Sequence, residues 1–556
     1  MATEDDSDRL WRADAEPRDR KSKRRSSMPI FALGGSHIPG HLSWSGSANR
    51  LSHLPQLSDA TQNRDHHARI AALIKTSSAS DQSAGHDSPQ RPESGDRNVE
   101  NDGTNPKSWP RSKKTIQMVI LSWTALVTSI GSLLMTPGLP SMAQELQITS
   151  KPMIELSVCA ALLGSAVSSL LAAPLSEMYG RIPLYHASNV CFAVFTLLCG
   201  FAQSPAEIVL FRFLVGLLGQ SALAVMGGTA TDIYQPQQRA RALGIAAFGP
   251  LLGPCIGPII GGAIVHSKGW RWPFFGLAIV AGVNVLVCAA LLEETYAPVL
   301  LERNAKRLRR QTGCESLPAK LNNNRQSAAK ALGLALARPA KLLLYSPVVA
   351  LCSLVSAVLF GVLYLLLTSI PFVFGPLYSF STLEVGLVYI APALGMVIGL
   401  FSSTYCSDRN VSSAQKEGHR HIPEHRLALP LLTSGAFTII AGLLLYGWSA
   451  QYLVHWFAAC LGLTIYCIGL QILNACVYTY LVESYLVYAA SVGSVSMASK
   501  LLANGILPLS GLSLFDRLNL GWGCTLLAGI SLLGVTGLLA CHFGGSHLRS
   551  RFVVKL

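Results

Sequence analysis

The sequence predicts an all-α integral membrane protein: twelve transmembrane helices in two bundles of six. Three observations carry this. From Ile116 to Gly544 the 556-residue chain is a succession of apolar runs, each of roughly 18–25 residues, enough to cross about 30 Å of hydrocarbon. A long polar segment, 293–345, splits the runs into two groups of six. Basic residues cluster in alternate connections, which puts those connections on one side of the membrane.

Residues 1–115 are rich in Ser, Asp, Arg, His and Gly and poor in large apolar side chains. Such a segment buries too little surface to offset its ordering entropy and reads as a disordered tail. Met1 is followed by charged residues without an apolar core, so no secretory leader is expected and the first apolar run reads as a retained signal-anchor. The first bundle, 116–292, has runs near 116–136, 154–175, 183–202, 206–230, 242–265 and 272–292. After the central loop, 293–345, the second bundle covers 346–543. Its runs lie near 346–374, 384–405, 427–447, 453–480, 487–511 and 520–542, and a short tail, 544–556, closes the chain.

The basic residues fix the orientation. Lys107, Arg111, Lys113 and Lys114 precede the first run, Arg181 follows the second, Arg239 and Arg241 the fourth, and Arg303 to Arg310 the sixth. Arg409, Lys416, Arg420 and Arg426 follow the eighth, and Arg549, Arg551 and Lys555 the twelfth. All fall on one side, so both termini are expected in the cytoplasm. Topology accounts for the net charge of +14, and dispersal over many loops argues against a nucleic-acid partner. The thirteen cysteines are scattered singly, without a CxxC pair or a Cys/His cluster. They read as packing residues, and no metal site is expected.

Within the fifth run, Gly249 to Gly262 read GPLLGPCIGPIIGG. A spacing of four places Gly249, Gly253, Gly257 and Gly261 on one face, smooth enough for close approach of a second helix. The prolines would break a soluble helix but are tolerated inside a membrane, so this helix is expected to pack tightly and bend. Gly180 suits a sharp turn after the second run. Arg181 and Asp232 reach the same side, where an ion pair would tie the third and fourth helices, and Glu177 is placed near the amino end of a helix from the other half. Arg212 and Lys500 lie within apolar runs, where a cation is costly unless it faces protein or water. Glu483 follows a polar stretch of Gln471, Asn474, Tyr478 and Tyr480. Asp408-Arg409 reads as a degenerate repeat of the Glu177–Arg181 loop, as a duplicated fold predicts.

Taken together these motifs resemble the major facilitator superfamily, over about residues 105–550. Gly253, Gly257, Pro258, Gly261 and Gly262 are similar to the fifth-helix motif of its antiporter branches. Ala173 to Arg181 resembles its loop motif, with Ala173 for the first glycine and Glu177 for the aspartate. Arg212 with Gly216 and Gly219 resembles the fourth-helix motif. Asn105-Pro106-Lys107-Ser108-Trp109-Pro110, Trp270-Arg271-Trp272 and Glu294 to Leu301 resemble the fungal drug:proton antiporter subfamily with twelve spans.

The resemblance implies export of amphipathic organic compounds (toxins, drugs or secondary metabolites) by alternating access. It implies a plasma-membrane protein acting as a single chain, driven by a proton gradient and needing no cofactor. Glu177, Gly180, Arg181 and Asp232 would latch one state of the cycle. Arg212, Lys500, Glu483 and Asp232 are the candidates for proton coupling or substrate handling. Glu483-Ser484-Tyr485 resembles an Asp/Glu-x-Tyr motif, and fungal relatives more often carry Arg at the Lys500 position. A cavity between the bundles would draw on Trp123, Gln220, Tyr364, Phe374, Tyr466, Gln471 and Asn474, an apolar and aromatic wall with a few amides. Its deepest charges, Arg212 and Lys500, are positive, which favours neutral or weakly acidic substrates and repels polyamines. Two rivals remain: an uptake carrier, against which the fifth-helix motif argues, and a receptor on a transporter scaffold. No nucleophile–base set points to an enzyme.

Overall fold

The computed structural model describes residues 106–300, 303, 328–416, 423–485 and 489–551. The expectations for the tail up to Asn105 and for most of the central loop lie outside the described residues. Every described element is helical.

In chain order the spans are Arg111–Leu133, Lys151–Tyr179, Arg181–Phe201, Pro205–Gly219 with Ser221–Ile233, Pro236–Lys268 and Trp272–Leu291. The second set is Pro347–Tyr378, Thr382–Val388 with Ile390–Lys416, Leu429–Gln451, Trp456–Ser484, Ala489–Ile506 and a twelfth within Gly511–Arg551. By length and apolar character eleven segments qualify as spans, because the last, Ser491–Gly545, is counted as one piece of 55 residues. A continuous helix of that length would extend about 80 Å, far beyond a bilayer. It is broken by the 3₁₀ turn Leu507–Ser510 and by Asn519, whose φ of 60° and ψ of 169° are not helical. It is two passes, which makes twelve.

Four expected boundaries need correction. The first helix begins at Arg111 rather than 116, and the last runs to Arg551 through most of the expected tail 544–556. Hydropathy marks the hydrocarbon boundary, but helical hydrogen bonding continues through polar residues beyond it. The central loop is not wholly irregular, because Ala328–Tyr345 is a helix packed on spans two and eleven. Span four is interrupted at Gln220, with φ −105° and ψ 11°.

Packing repeats between the halves. Span one lies along span five, two along four and three along six; likewise seven lies along eleven, eight along ten and nine along twelve. Two seams join the halves, two with eleven and five with eight. Spans one, two, seven and ten are the most buried, whereas three, six and nine carry wide exposed apolar faces.

Span five stays helical from Pro236 to Lys268 with Pro250, Pro254 and Pro258 inside it. Its glycine face meets mostly backbone, with the Ser129 Cβ against Gly253. A Cβ at Gly249 would stand 2.8 Å from the Ser122 carbonyl oxygen, and one at Gly257 2.5 Å from that of Ile130. Gly261 sits tighter still on the Leu134 carbonyl. Gly262 turns to the other half, where a Cβ would meet the Thr382 carbonyl oxygen at 2.8 Å and Gly386 Cα at 3.0 Å. We predict that Gly261→Ala destabilises the protein by about 1–3 kcal/mol through overpacking. Gly282→Ala, with open space around it, is expected to be neutral. Thermal unfolding in detergent compares the two, and equal midpoints would refute the packing account.

Candidate transport site and its charged gates

Each span reverses the direction of the last, so the chain has two membrane faces. One, here the basic face, carries Arg181, Asp232, Glu294, Arg426, Glu483 and Arg549. The opposite face carries the connection after span one and the beginnings of spans two, eight and twelve.

Arg212 is buried in span four. Span one ends at Leu133, leaving carbonyls without helical donors. Arg212 Nη1 donates to the Gly131 carbonyl at 2.6 Å and Nη2 to that of Ser132 at 2.7 Å. The Leu133 carbonyl accepts from Thr136 Oγ1 at 2.7 Å. Arg212 also donates to the Ser157 and Val158 carbonyls of span two, at 3.3 and 3.4 Å, and its guanidinium lies 5.9 Å from the Phe274 ring. The planar fork thus joins three spans through four carbonyls, a role the sequence does not reveal because carbonyls have no letter.

On the basic face Gly180 has φ +97°, a value L side chains rarely adopt. The next helix starts on a carboxylate: the N–H groups of Arg181 and Ile182 donate to Glu294 at 3.0 and 3.2 Å. Arg181 Nε pairs with Asp232 at 3.1 Å, and its guanidinium also donates to Ser176 and stands over Tyr296 at 5.1 Å. Burial pushes the Tyr296 phenol above its usual range. Glu177 does not join this set; it is exposed, and no ion pair to it occurs among the described residues.

An equivalent pair stands in the second half. Glu483, in the last turn of span ten, meets Arg426 at 2.7 Å, and Arg549 meets Glu424 at 2.6 Å. Arg426 precedes span nine as Arg181 opens span three, and Glu483 ends span ten as Asp232 ends span four. The Arg181–Asp232 pair thus has a counterpart in Arg426–Glu483; the side chains of Asp408 and Arg409, the expected repeat of the Glu177–Arg181 loop, lie outside the described residues. Tyr485 shares a hydrogen bond of 2.6 Å with Ser346, and burial raises its phenol.

Facing the middle of the second half is a polar line. Lys500 Nζ donates to Asn474 Oδ1 at 2.6 Å, and Asn474 Nδ2 donates to Gln471 Oε1 at 3.4 Å. The ammonium stands 5.0 Å from the Phe360 ring centre. Gln471, Asn474 and Tyr478 share one face of span ten, and exposure rises along it from buried Gln471 to Tyr478, 46% exposed toward the basic face.

The remaining cavity candidates separate. Gln220 is buried at the break of span four, its Nε2 without a hydrogen-bond partner. Tyr364 reaches Ser132 of span one. Trp123 is exposed on the stripe of Ile116 and Val119. Phe374 is fully buried in an aromatic cluster with Tyr378 and Phe380, at 5.4 and 5.8 Å, and Tyr466 spends its hydroxyl on the Leu359 carbonyl at 2.7 Å. Those two pack rather than line.

Sequence reading missed Glu155. Wholly buried in span two, it accepts from the Leu512 N–H of span twelve at 3.1 Å, across the seam. Lys151 and Asp516 pair one turn earlier. A carboxylate inside an apolar run is a signal of its own, but its partner is 357 residues away. The hydrogen bonds and ion pairs between the halves among the described residues lie toward the opposite face.

Two repeated six-helix halves joined along two seams, with a polar line inside the second, define a membrane carrier. The chain belongs to the Major Facilitator Superfamily, whose model matches residues 121–508. It is 38% identical over 434 residues to the MFS-type transporter atr4 of Stereocaulon alpinum, covering 78% of each chain. It is 35% identical to the efflux pump radE of Floropilus chiversii, covering 82% of this chain and 85% of that one. Among solved structures, a bacterial homologue of the human lysosomal transporter Spinster superposes with a TM-score of 0.55 at 16% identity, over 80% of this chain and 100% of that one. The protein is a multi-pass membrane transporter and not an enzyme.

The carbonyl set of Arg212 leads to a prediction. Arg212→Lys keeps the charge but cannot bridge three spans, so it is expected to destabilise nearly as much as Arg212→Ala, by about 2–5 kcal/mol. Unfolding midpoints in detergent test this; a normally stable Arg212→Ala protein that has lost flux would make Arg212 a chemical participant instead.

Proposed function

We propose that the chain is a proton-coupled efflux transporter of the plasma membrane, exporting amphipathic organic compounds that are neutral or weakly acidic. Both termini and the basic face are cytoplasmic, and the protein works as a single chain without a cofactor. The observation that carries this reading is the line from Gln471 to Tyr478, which leads from mid-membrane to the basic face while the halves are bonded toward the opposite one. Such an arrangement suits loading from the cytoplasm followed by rocking of the halves. The likeness to the efflux pump radE supports the outward direction. Two positive side chains near the middle, Arg212 and Lys500, disfavour multiply charged cations.

Proton coupling needs a group that titrates during the cycle. Asp232 and Glu483, each held by an arginine that a conformational change would withdraw, are the first candidates, and Glu155 joins them. In proteoliposomes, uphill efflux is expected to collapse when the proton gradient is dissipated. Replacing the coupling carboxylate by its amide should lower uphill flux at least tenfold yet spare substrate exchange at equal concentrations. Gradient-independent flux, or strong export of spermine without export of uncharged or acidic compounds, would sink the proposal.

A further inference from the structure

We infer that Lys500 is the anchor for an acidic head group, a carboxylate or an ionised phenol or enol, on a substrate whose apolar body lies against Phe360 and Tyr478. This rests on the transport reading but not on its direction or its coupling.

The ammonium has three donors. One goes to Asn474 at 2.6 Å. No second hydrogen bond from Lys500, and no ion pair to it, occurs among the described residues; the carboxylate at the end of span ten, Glu483, is held by Arg426. Span eleven, Ala489–Ile506, contains no acidic residue, and Arg212, the other cation within a span, adds positive charge.

A charge this far inside a span is costly unless something answers it. An amide oxygen and the face of one ring answer it only in part. Two donors and most of a unit charge remain for a partner from outside the protein.

The surroundings narrow that partner. Asn474 and Gln471 form a short amide chain beside the ammonium, able to orient a planar oxygen pair, and Gln471 is buried. Phe360, 5.0 Å from the ammonium, and Tyr478, exposed and one turn beyond Asn474 on the same face of span ten, offer aromatic faces to a flat apolar body. A small inorganic anion would leave those faces unused. An organic acid uses both.

A matched pair of probes tests this: 2-naphthoate and 2-naphthamide, alike in shape and different in charge. The full chain is placed in nanodiscs of phosphatidylcholine alone, which contain no anionic lipid, and binding is followed by fluorescence. Wild-type protein is expected to bind the acid at least tenfold more tightly than the amide. Lys500→Met should bind the two within about twofold of each other, and Lys500→Arg should keep the preference. Lys500→Gln serves as a second neutral variant if Lys500→Met does not fold.

The inference is overturned if wild-type protein shows no preference, or if both neutral variants retain it. If adding phosphatidylserine abolishes the preference in both wild type and Lys500→Arg, an anionic lipid head group is the occupant and the substrate assignment falls. Because binding is read at equilibrium, a protein that fails to export against a proton gradient still reports on Lys500.

Discussion

Inside hydrocarbon every backbone polar group needs a partner from within the protein, and helix ends are where partners run out. Charged side chains meet much of that need here. Arg212 covers the carbonyls where span one stops, Glu294 receives the first N–H groups of span three, and Glu155 receives one from the start of span twelve. Ser204 and Ser381 do the same at spans four and eight. The architecture rests on this accounting, since without it the helices would end in exposed dipoles at the depths where the halves must pack.

Duplication shows in what the charges do as well as in how helices pair. Arg181–Asp232 and Arg426–Glu483 occupy matching corners of the two halves on one face. Each ties the entry of one outer helix to the exit of an inner one. The halves differ at mid-membrane. In the first, the deep cation is saturated by carbonyls; in the second, Lys500 has one amide and a ring. Two residues that look alike in the sequence are thus answered very differently by the fold.

Span count, the division into halves and the glycine face were legible because each is set by local composition and spacing. Helix ends were less so, since polar residues such as Arg111 and Arg549 carry helices past the apolar boundary. The break at Gln220 has no breaker residue to announce it beyond the adjacent Gly219. At the site, the polarity of Arg212 and Lys500 was visible but their partners were not. Glu155 escapes sequence reading because its meaning depends on Leu512, and the Arg426–Glu483 corner because its two members lie 57 residues apart.

Where spans five and eight cross, Gly262 and Gly386 touch through main chain alone. No side chains interleave at that point, so nothing has to be unmeshed for one half to roll on the other. The crossing is shaped like a plain bearing, whereas the Glu155–Leu512 bond fastens the other seam. A bulky residue at Gly386 would then act like grit, jamming the cycle in one state while leaving each half intact.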